Sequence, residues 1–181
     1  MVFIRVTLWC LAIGLLASSD AYGQEPAVPA GSAADPADVE SIDAIIEAVY
    51  DVISGPAGAR DWDRMRSLFI PEARLIAVGT GEDGSFSKQV MSLEDYIERA
   101  GAYFERNGFV ERELARRTER FEQVAHAFST YESLHDAGDP TPFSRGINSF
   151  QLMHDGERWW IVTIYWEAET AEKPIPEKYL P

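Results

Sequence analysis

The stretch INSFQLMHDGERWWIVTIYWEAE, residues 147–169, restricts the fold more than any other part of the chain. Two apolar runs meet at Asp155-Gly156, a dipeptide that favours a tight β-hairpin. With Asp155-Gly156 as a two-residue loop, His154 faces Glu157 and every later pair keeps the same residue-number sum. One face then carries Leu152 with Trp159, Phe150 with Ile161, Asn148 with Thr163 and Gly146 with Tyr165, so it is apolar near the turn and polar away from it. The other carries Gln151 with Trp160, Ser149 with Val162, Ile147 with Ile164 and Arg145 with Trp166, the last a cation-π pair. Large apolar groups on both faces cannot all stay wet, and helices cover only one side of a single sheet. The face with Trp160, Val162, Ile164 and Trp166 is therefore expected to meet a second copy of the chain in a homodimer.

The residues before this hairpin supply helices first and strands afterwards. Asp35-Pro36-Ala37-Asp38 reads as a helix start, and Ile42, Ile45, Ile46, Val49, Val52 and Ile53 recur at helical spacing until Ser54-Gly55-Pro56. This predicts one long amphipathic helix. A shorter helix follows over 61–69, then a hairpin of 74–78 with 85–91 across the turn at 79–84. A third helix starts at the Ser92-x-x-Asp95 capping pattern, buries Tyr96, Ile97, Ala100, Tyr103 and Phe104, and stops at Asn107-Gly108. Segments 109–121, 124–134, 144–154 and 158–168 read as strands, and 170–181 is a Pro-rich tail. Helices segregated to one side of a mostly antiparallel sheet define an α+β domain over 38–169.

Ahead of that domain lies the pattern of an export signal. Arg5 precedes an apolar run of about a dozen residues, short of the roughly 20 that cross a bilayer. Ala21-Tyr22-Gly23 places small residues where a signal peptidase reads them. Residues 1–23 are thus expected to be a signal peptide and 24–37 an Ala, Pro, Gly and Ser-rich flexible linker, with the mature chain periplasmic or extracellular. Cys10 is the only cysteine, so the mature protein has no disulfide and no thiolate metal ligand.

Charge narrows the partners. A formal net charge of -14 disfavours nucleic acid and anionic membrane surfaces unless a local basic patch compensates. The one concentrated set, Arg112, Arg116, Arg117 and Arg120, alternates with Glu111, Glu113, Glu119 and Glu122 and reads as a solvated strand face laced with cross-strand ion pairs. His126, His135 and His154 show no metal-binding spacing, and no nucleophile elbow or phosphate loop is present.

The element order, the DWDRMRSLF helix at 61–69, the AHAFSTYES strand at 125–133 and the RGINSFQLMHDGERWWIVTIYWE hairpin at 145–167 together resemble the SnoaL-like branch of the nuclear transport factor 2-like superfamily. The resemblance covers residues 39–169. It implies a cone in which a curved sheet wraps the first long helix, often with a pocket at the open end and a dimer through the sheet. It also implies a range of activities that includes isomerases, dehydratases and hydrolases, and members without chemistry.

Within that frame the chemistry left to the chain is acid/base catalysis in a pocket for a small hydrophobic or cyclic ligand, with no metal and no cofactor. Asp63 and His126 are the catalytic candidates, and Tyr50, Glu132, Asn148, Thr163 and Tyr165 the ligand-binding ones, above a floor of Phe150, Trp159 and Ile161. Each has a plainer reading. Asp63 sits where the helix dipole favours a carboxylate, His126 suits a hydrogen-bonded wall, and Asn148 and Tyr165 suit buried polar groups at a rim. The register of the 124–134 strand is open, because Ala125, Ala127, Ser129 and Tyr131 are the alternative inward face. A noncatalytic dimeric scaffold with a filled cone is the competing function.

Overall fold

The computed structural model describes residues 33–81 and 84–181. The signal-peptide expectation and most of the linker lie outside the described residues. The chain opens with α1 (Pro36–Val39), capped by Asp35 with Pro36 at its first position, and α2 (Ile42–Ile53). The single long helix expected here is thus two helices. Ser41 adopts an extended backbone and accepts a hydrogen bond from Ala44 N at 3.0 Å, so the chain restarts its helix at a fresh cap. Asp38 of α1 is then free to form a two-bond pair with Arg64 of α3 (Trp62–Leu68), at 2.7 and 2.9 Å.

β1 (Phe69–Thr80) and β2 (Phe86–Met91) form the expected hairpin, and α4 (Leu93–Phe104) starts on a full capping box between Ser92 and Asp95. Tyr103, expected inside, is exposed, while Ile97 and Phe104 are buried. β3 (Val110–Phe121), β4 (Val124–Leu134), β5 (Ser144–His154) and β6 (Trp159–Ala168) complete a six-stranded sheet in the order β2-β1-β6-β5-β4-β3. Only β1 and β6 are parallel. The domain is α+β, and its curved sheet wraps α2, whose Ile45, Ile46, Val49, Tyr50, Val52 and Ile53 are all buried.

The hairpin of β5 and β6 departs from its expected register in two places. His154 pairs with Trp159, so the loop has four residues rather than two. Asp155 explains this: its Oδ1 accepts from the backbone nitrogens of Glu157 and Arg158 at 2.8 and 2.9 Å, closing a wider turn with Gly156 at φ 109°. That shift moves pairs by two and preserves the faces near the turn. A bulge then takes up Val162, since Leu152 pairs with Ile161 but Gln151 with Thr163. Beyond it every side chain of β6 changes face. Ile164 and Trp166 turn toward α2 and α4, and Thr163 and Tyr165 turn outward. The proposed dimer face is therefore corrected: of its four residues only Trp160 and Val162 lie outside. Arg145 does not stack on Trp166 but pairs with Glu169 at 2.8 Å, while Trp166 meets Tyr96 edge-on.

The Pro-rich tail folds back across the outer face. Thr130 Oγ1 donates to Tyr179 O and Arg117 Nε to Lys178 O, each at 2.6 Å, and Ile175 is buried beneath the segment. On the inner side, the end of α2 is tied down by Arg60. Its guanidinium donates to the carbonyls of Ile53, Gly55, Pro56 and Gly58 at 2.9 to 3.0 Å and lies over the Phe104 ring at 5.0 Å. Removing it takes a donor from four clustered carbonyls, of which Gly55 keeps the Phe109 N–H, so Arg60→Ala should cost about 2–3 kcal/mol in denaturant unfolding. A loss below about 0.5 kcal/mol would show that water replaces the clasp.

Candidate functional site

The cone closes around a cavity of about 150 Å³ lined by Val49, Ile53, Met65, Leu75, Tyr96, Phe109, Glu111, Tyr131, Asn148, Phe150, Ile164 and Trp166. Val49, Ile53, Met65, Leu75, Tyr131, Asn148, Phe150 and Ile164 are buried, whereas Tyr96, Phe109, Glu111 and Trp166 keep some exposure. The mouth therefore opens between α4, the start of β3 and the end of β6. Its one carboxylate is Glu111.

Glu111 is fixed at both ends. Ser54, at the end of α2, donates its hydroxyl to the Glu111 carbonyl at 3.1 Å and accepts the Glu111 N–H at 3.0 Å. Next to this, Gly55 and Phe109 exchange backbone hydrogen bonds at 2.7 and 3.0 Å. The carboxylate is gripped by Ser133 Oγ, which donates to Oε2 at 2.9 Å, and by Asn148 Nδ2, which donates to Oε1 at 3.1 Å. Burial pushes the carboxyl up to about 7, while the hydrogen bonds from Ser133 and Asn148 pull the other way. Burial and the charge of Glu111 together raise the phenols of Tyr50, Tyr96 and Tyr131. These stay protonated and serve as donors at any physiological pH. A carboxylate that titrates near neutrality, faced by phenols over an apolar floor, is equipped to take a proton from a bound molecule and to hydrogen-bond the negative charge left behind.

Gly146 makes room for one of those phenols. A Cβ there would lie 2.5 Å from the Tyr131 hydroxyl and 2.4 Å from the Glu167 carbonyl. Tyr131 pairs with Gly146 across β4 and β5, so the glycine is a packing requirement of the site.

The residues singled out in the sequence fall into three groups. Asn148, Phe150 and Tyr50 come together, with Asn148 Nδ2 donating to the Tyr50 hydroxyl at 3.1 Å. Trp159 and Ile161 are core residues that do not line the cavity. The remaining candidates are elsewhere. Asp63 is on the surface of α3, accepting from Arg66 at 2.9 Å, and is a helix-start carboxylate. β4 takes the alternative register, with Ala125, Ala127, Ser129 and Tyr131 inward, so His126 and Glu132 point outward. His126 shares a hydrogen bond with Ser149 Oγ at 3.1 Å, and Glu132 pairs with Arg112 at 2.6 Å. Thr163 is turned outward by the bulge at Val162 and bonds its own strand's Val162 carbonyl. Tyr165 lines a separate groove of about 400 Å³ between the outer sheet face and the tail. The acids of that groove are Glu167 and Glu169, and Glu169 is already paired with Arg145.

By its sequence pattern Glu111 belongs to a solvated face. The pattern hides it, because Glu and Arg alternate through β3 as they do on an exposed strand. Counting back from the two-residue turn at Glu122-Gln123 sets Arg116 beside Ser129 but would set Glu111 opposite Leu134; the bulge between Glu113 and Ala115 moves it to Ser133 on the inner face. Among the described residues no cluster of His, Cys, Asp or Glu is arranged to hold a metal ion.

No protein-family model and no curated protein matches the sequence. Solved structures do match. The chain is similar to a Nostoc punctiforme protein of unknown function with a cystatin-like fold, at 11% identity over 72% of this chain and 90% of that one, with a TM-score of 0.54. It is similar to a nuclear transport factor 2-like protein of unknown function from Pseudomonas putida, at 11% identity over 82% and 99%, with a TM-score of 0.54. A candidate dehydratase of the same family from Streptomyces avermitilis matches at 10% identity over 74% and 97%, with a TM-score of 0.50. At such identities the likeness is one of fold, and the chain has the nuclear transport factor 2-like fold.

The raised carboxyl has a consequence for stability. The folded chain holds the Glu111 proton to about pH 7, whereas the unfolded chain releases it near the ordinary 4.5. Between these values the folded state binds more protons, so this group's contribution to stability falls as pH rises through the window and levels off above it. Glu111→Gln has no charge to desolvate. Its melting temperature relative to the wild type should climb from pH 4.5 to pH 7.5, and a difference that stays flat would place the carboxylate in water.

Proposed function

We propose that this chain binds a compact hydrophobic ring or carbonyl compound in its cone and moves a proton on it without metal or cofactor, with Glu111 as general base. The observation that carries this is the Glu111 carboxylate, held by Ser133 and Asn148 in an otherwise apolar cavity that Tyr96 and Tyr131 also line. Cavities of about 150 Å³ accept a single six-membered ring. A carbonyl oxygen placed against a phenol leaves its α-hydrogens to the carboxylate. Glu111 then abstracts one, the phenol hydrogen-bonds the enolate oxygen, and the proton returns at another carbon or a leaving group departs. Isomerisation and dehydration share that first step, and the fold is also that of a candidate dehydratase.

The test uses 3-cyclohexenone, whose conversion to the conjugated 2-isomer is followed by ultraviolet absorbance. Turnover should rise with pH through about 7, as the base loses its proton. Glu111→Gln should lose at least about 100-fold in rate while still binding the ring by calorimetry. Absence of both binding and turnover in the wild type favours the competing noncatalytic scaffold.

One observation supports self-association as a second property. Phe121, Val124, Met153 and Trp160 form a cross-strand ladder on the outer face, with Phe121 77% and Val124 58% exposed. Such a ladder is a contact surface for a second copy. Light scattering at micromolar concentration should report a dimer, and Phe121→Glu with Trp160→Glu should return it to monomer. A wild type that is monomeric throughout would remove the proposal.

A further inference from the structure

A chain of hydrogen bonds leaves the cavity and ends at an ion pair. Arg116 holds Glu113 through two bonds, Nε to Oε1 at 2.8 Å and Nη2 to Oε2 at 2.6 Å, with side chains only 17% and 22% exposed. The two residues are three apart in a strand and would ordinarily face opposite ways. They share the inner face because a bulge at Leu114 shifts the β3–β4 register between Glu113 and Ala115. Arg116 also reaches Asp43 of α2 at 2.6 Å.

Donor and acceptor counts settle the direction of everything attached to this pair. Glu113, paired twice with a guanidinium, is a carboxylate and only accepts. Ser129 therefore donates its single proton to Glu113 Oε1, at 2.5 Å. Its oxygen must accept from the Tyr50 hydroxyl, 2.6 Å away. Tyr50, having given its proton to Ser129, can only accept from the far side. Asn148 must present Nδ2 there rather than Oδ1, because two acceptors would otherwise meet. The second Nδ2 hydrogen then reaches Glu111 Oε1.

We propose that the Arg116–Glu113 ion pair polarises the Ser129–Tyr50 chain and thereby locks the Asn148 amide with its nitrogen toward Glu111. Ser129, Tyr50 and Glu113 are on this reading positioning residues, and the inference rests on Glu111 being the proton-transfer group. The lock matters because the opposite amide would put a carbonyl against Glu111 and favour its protonated form. Held as it is, the amide favours the carboxylate, the form a base must have. The titratable groups facing Glu111 are Tyr50 from α2, Tyr96 from α4 and Tyr131 from β4, with Glu113 farther along β3; a phenol is neutral or anionic, so none of the three favours the Glu111 carboxylate by charge.

The experiment is a carbon-13 carboxyl titration of the full chain, with the Glu111 resonance assigned by its loss in Glu111→Gln. Ser129→Ala and Tyr50→Phe cut the chain at two different bonds and leave Ser133, Asn148 and the ion pair in place. Each should raise the Glu111 midpoint, by three- to tenfold in proton affinity, and Ser129→Thr should restore it. Midpoints in folded Ser129→Ala and Tyr50→Phe that coincide with the wild type overturn the proposal. The variant-to-wild-type difference decides it whatever the wild-type midpoint. A wild-type midpoint near 4.5, by contrast, counts against Glu111 as a base near neutrality.

Discussion

Helix α2 can be accommodated only inside the sheet. With Ile45, Ile46, Ala48, Val49, Val52 and Ile53 all buried, its apolar surface is too broad for one flat contact, and the sheet has to curve to cover it. Fully burying each branched aliphatic side chain is worth about 1.5–3 kcal/mol, enough to make this packing dominate the fold. The same burial obliges the helix's polar groups to find partners. Tyr50 is buried mid-helix and must hydrogen-bond, and Ser54 at the helix end bonds both backbone groups of Glu111. The site is thus a by-product of satisfying a buried helix.

Two bulges convert that scaffold into a cavity with chemistry. The one at Val162 brings Ile164 and Trp166 inward and sends Thr163 and Tyr165 out, so the mouth of the cone has an aromatic wall where hydroxyls were expected. The one at Leu114 places Arg116 beside Glu113 on the inner face, so a buried carboxylate has its cation. Burial makes the second placement costly unless its polar atoms are paired, and the two bonds between Arg116 and Glu113 pair them. Of the two carboxylates Glu113 has the Arg116 guanidinium and Glu111 has none, so burial holds the Glu111 proton to near neutrality.

The outer face follows a different rule. Its central strands are partly covered by the chain's own tail through Ile175, Tyr179 and the two carbonyl contacts from Thr130 and Arg117. What stays uncovered is the apolar ladder at the turn end of β3 to β6. A sheet face that sequence alone suggested would be wholly given to a partner is covered in part by the chain itself.

By itself the sequence determined what local physics controls. The caps at Asp35 and Ser92, the apolar period of α2 and the strand limits at 124–134 and 144–154 appear in the structure as read, because each rests on neighbours within a few residues. From these the α+β class was legible, and the cone from the resemblance to the nuclear transport factor 2-like superfamily; Asn148 and Tyr50 were legible as polar candidates of its interior. Only the tertiary structure decided which face each strand presents. A single inserted residue reverses every side chain beyond it, and nothing in TIYW or ELAR announces a bulge. Thr163 and Tyr165 turn outward through that parity, His126 and Glu132 because β4 presents its other face, and Glu111 is concealed because alternating Glu and Arg looks alike whether the glutamates face water or a cavity. The decision belongs to packing: α2 closing over β3 is what removes Glu111 from water, and no property of the residues flanking Glu111 reports that a helix from 60 positions earlier in the chain (roughly) will lie there.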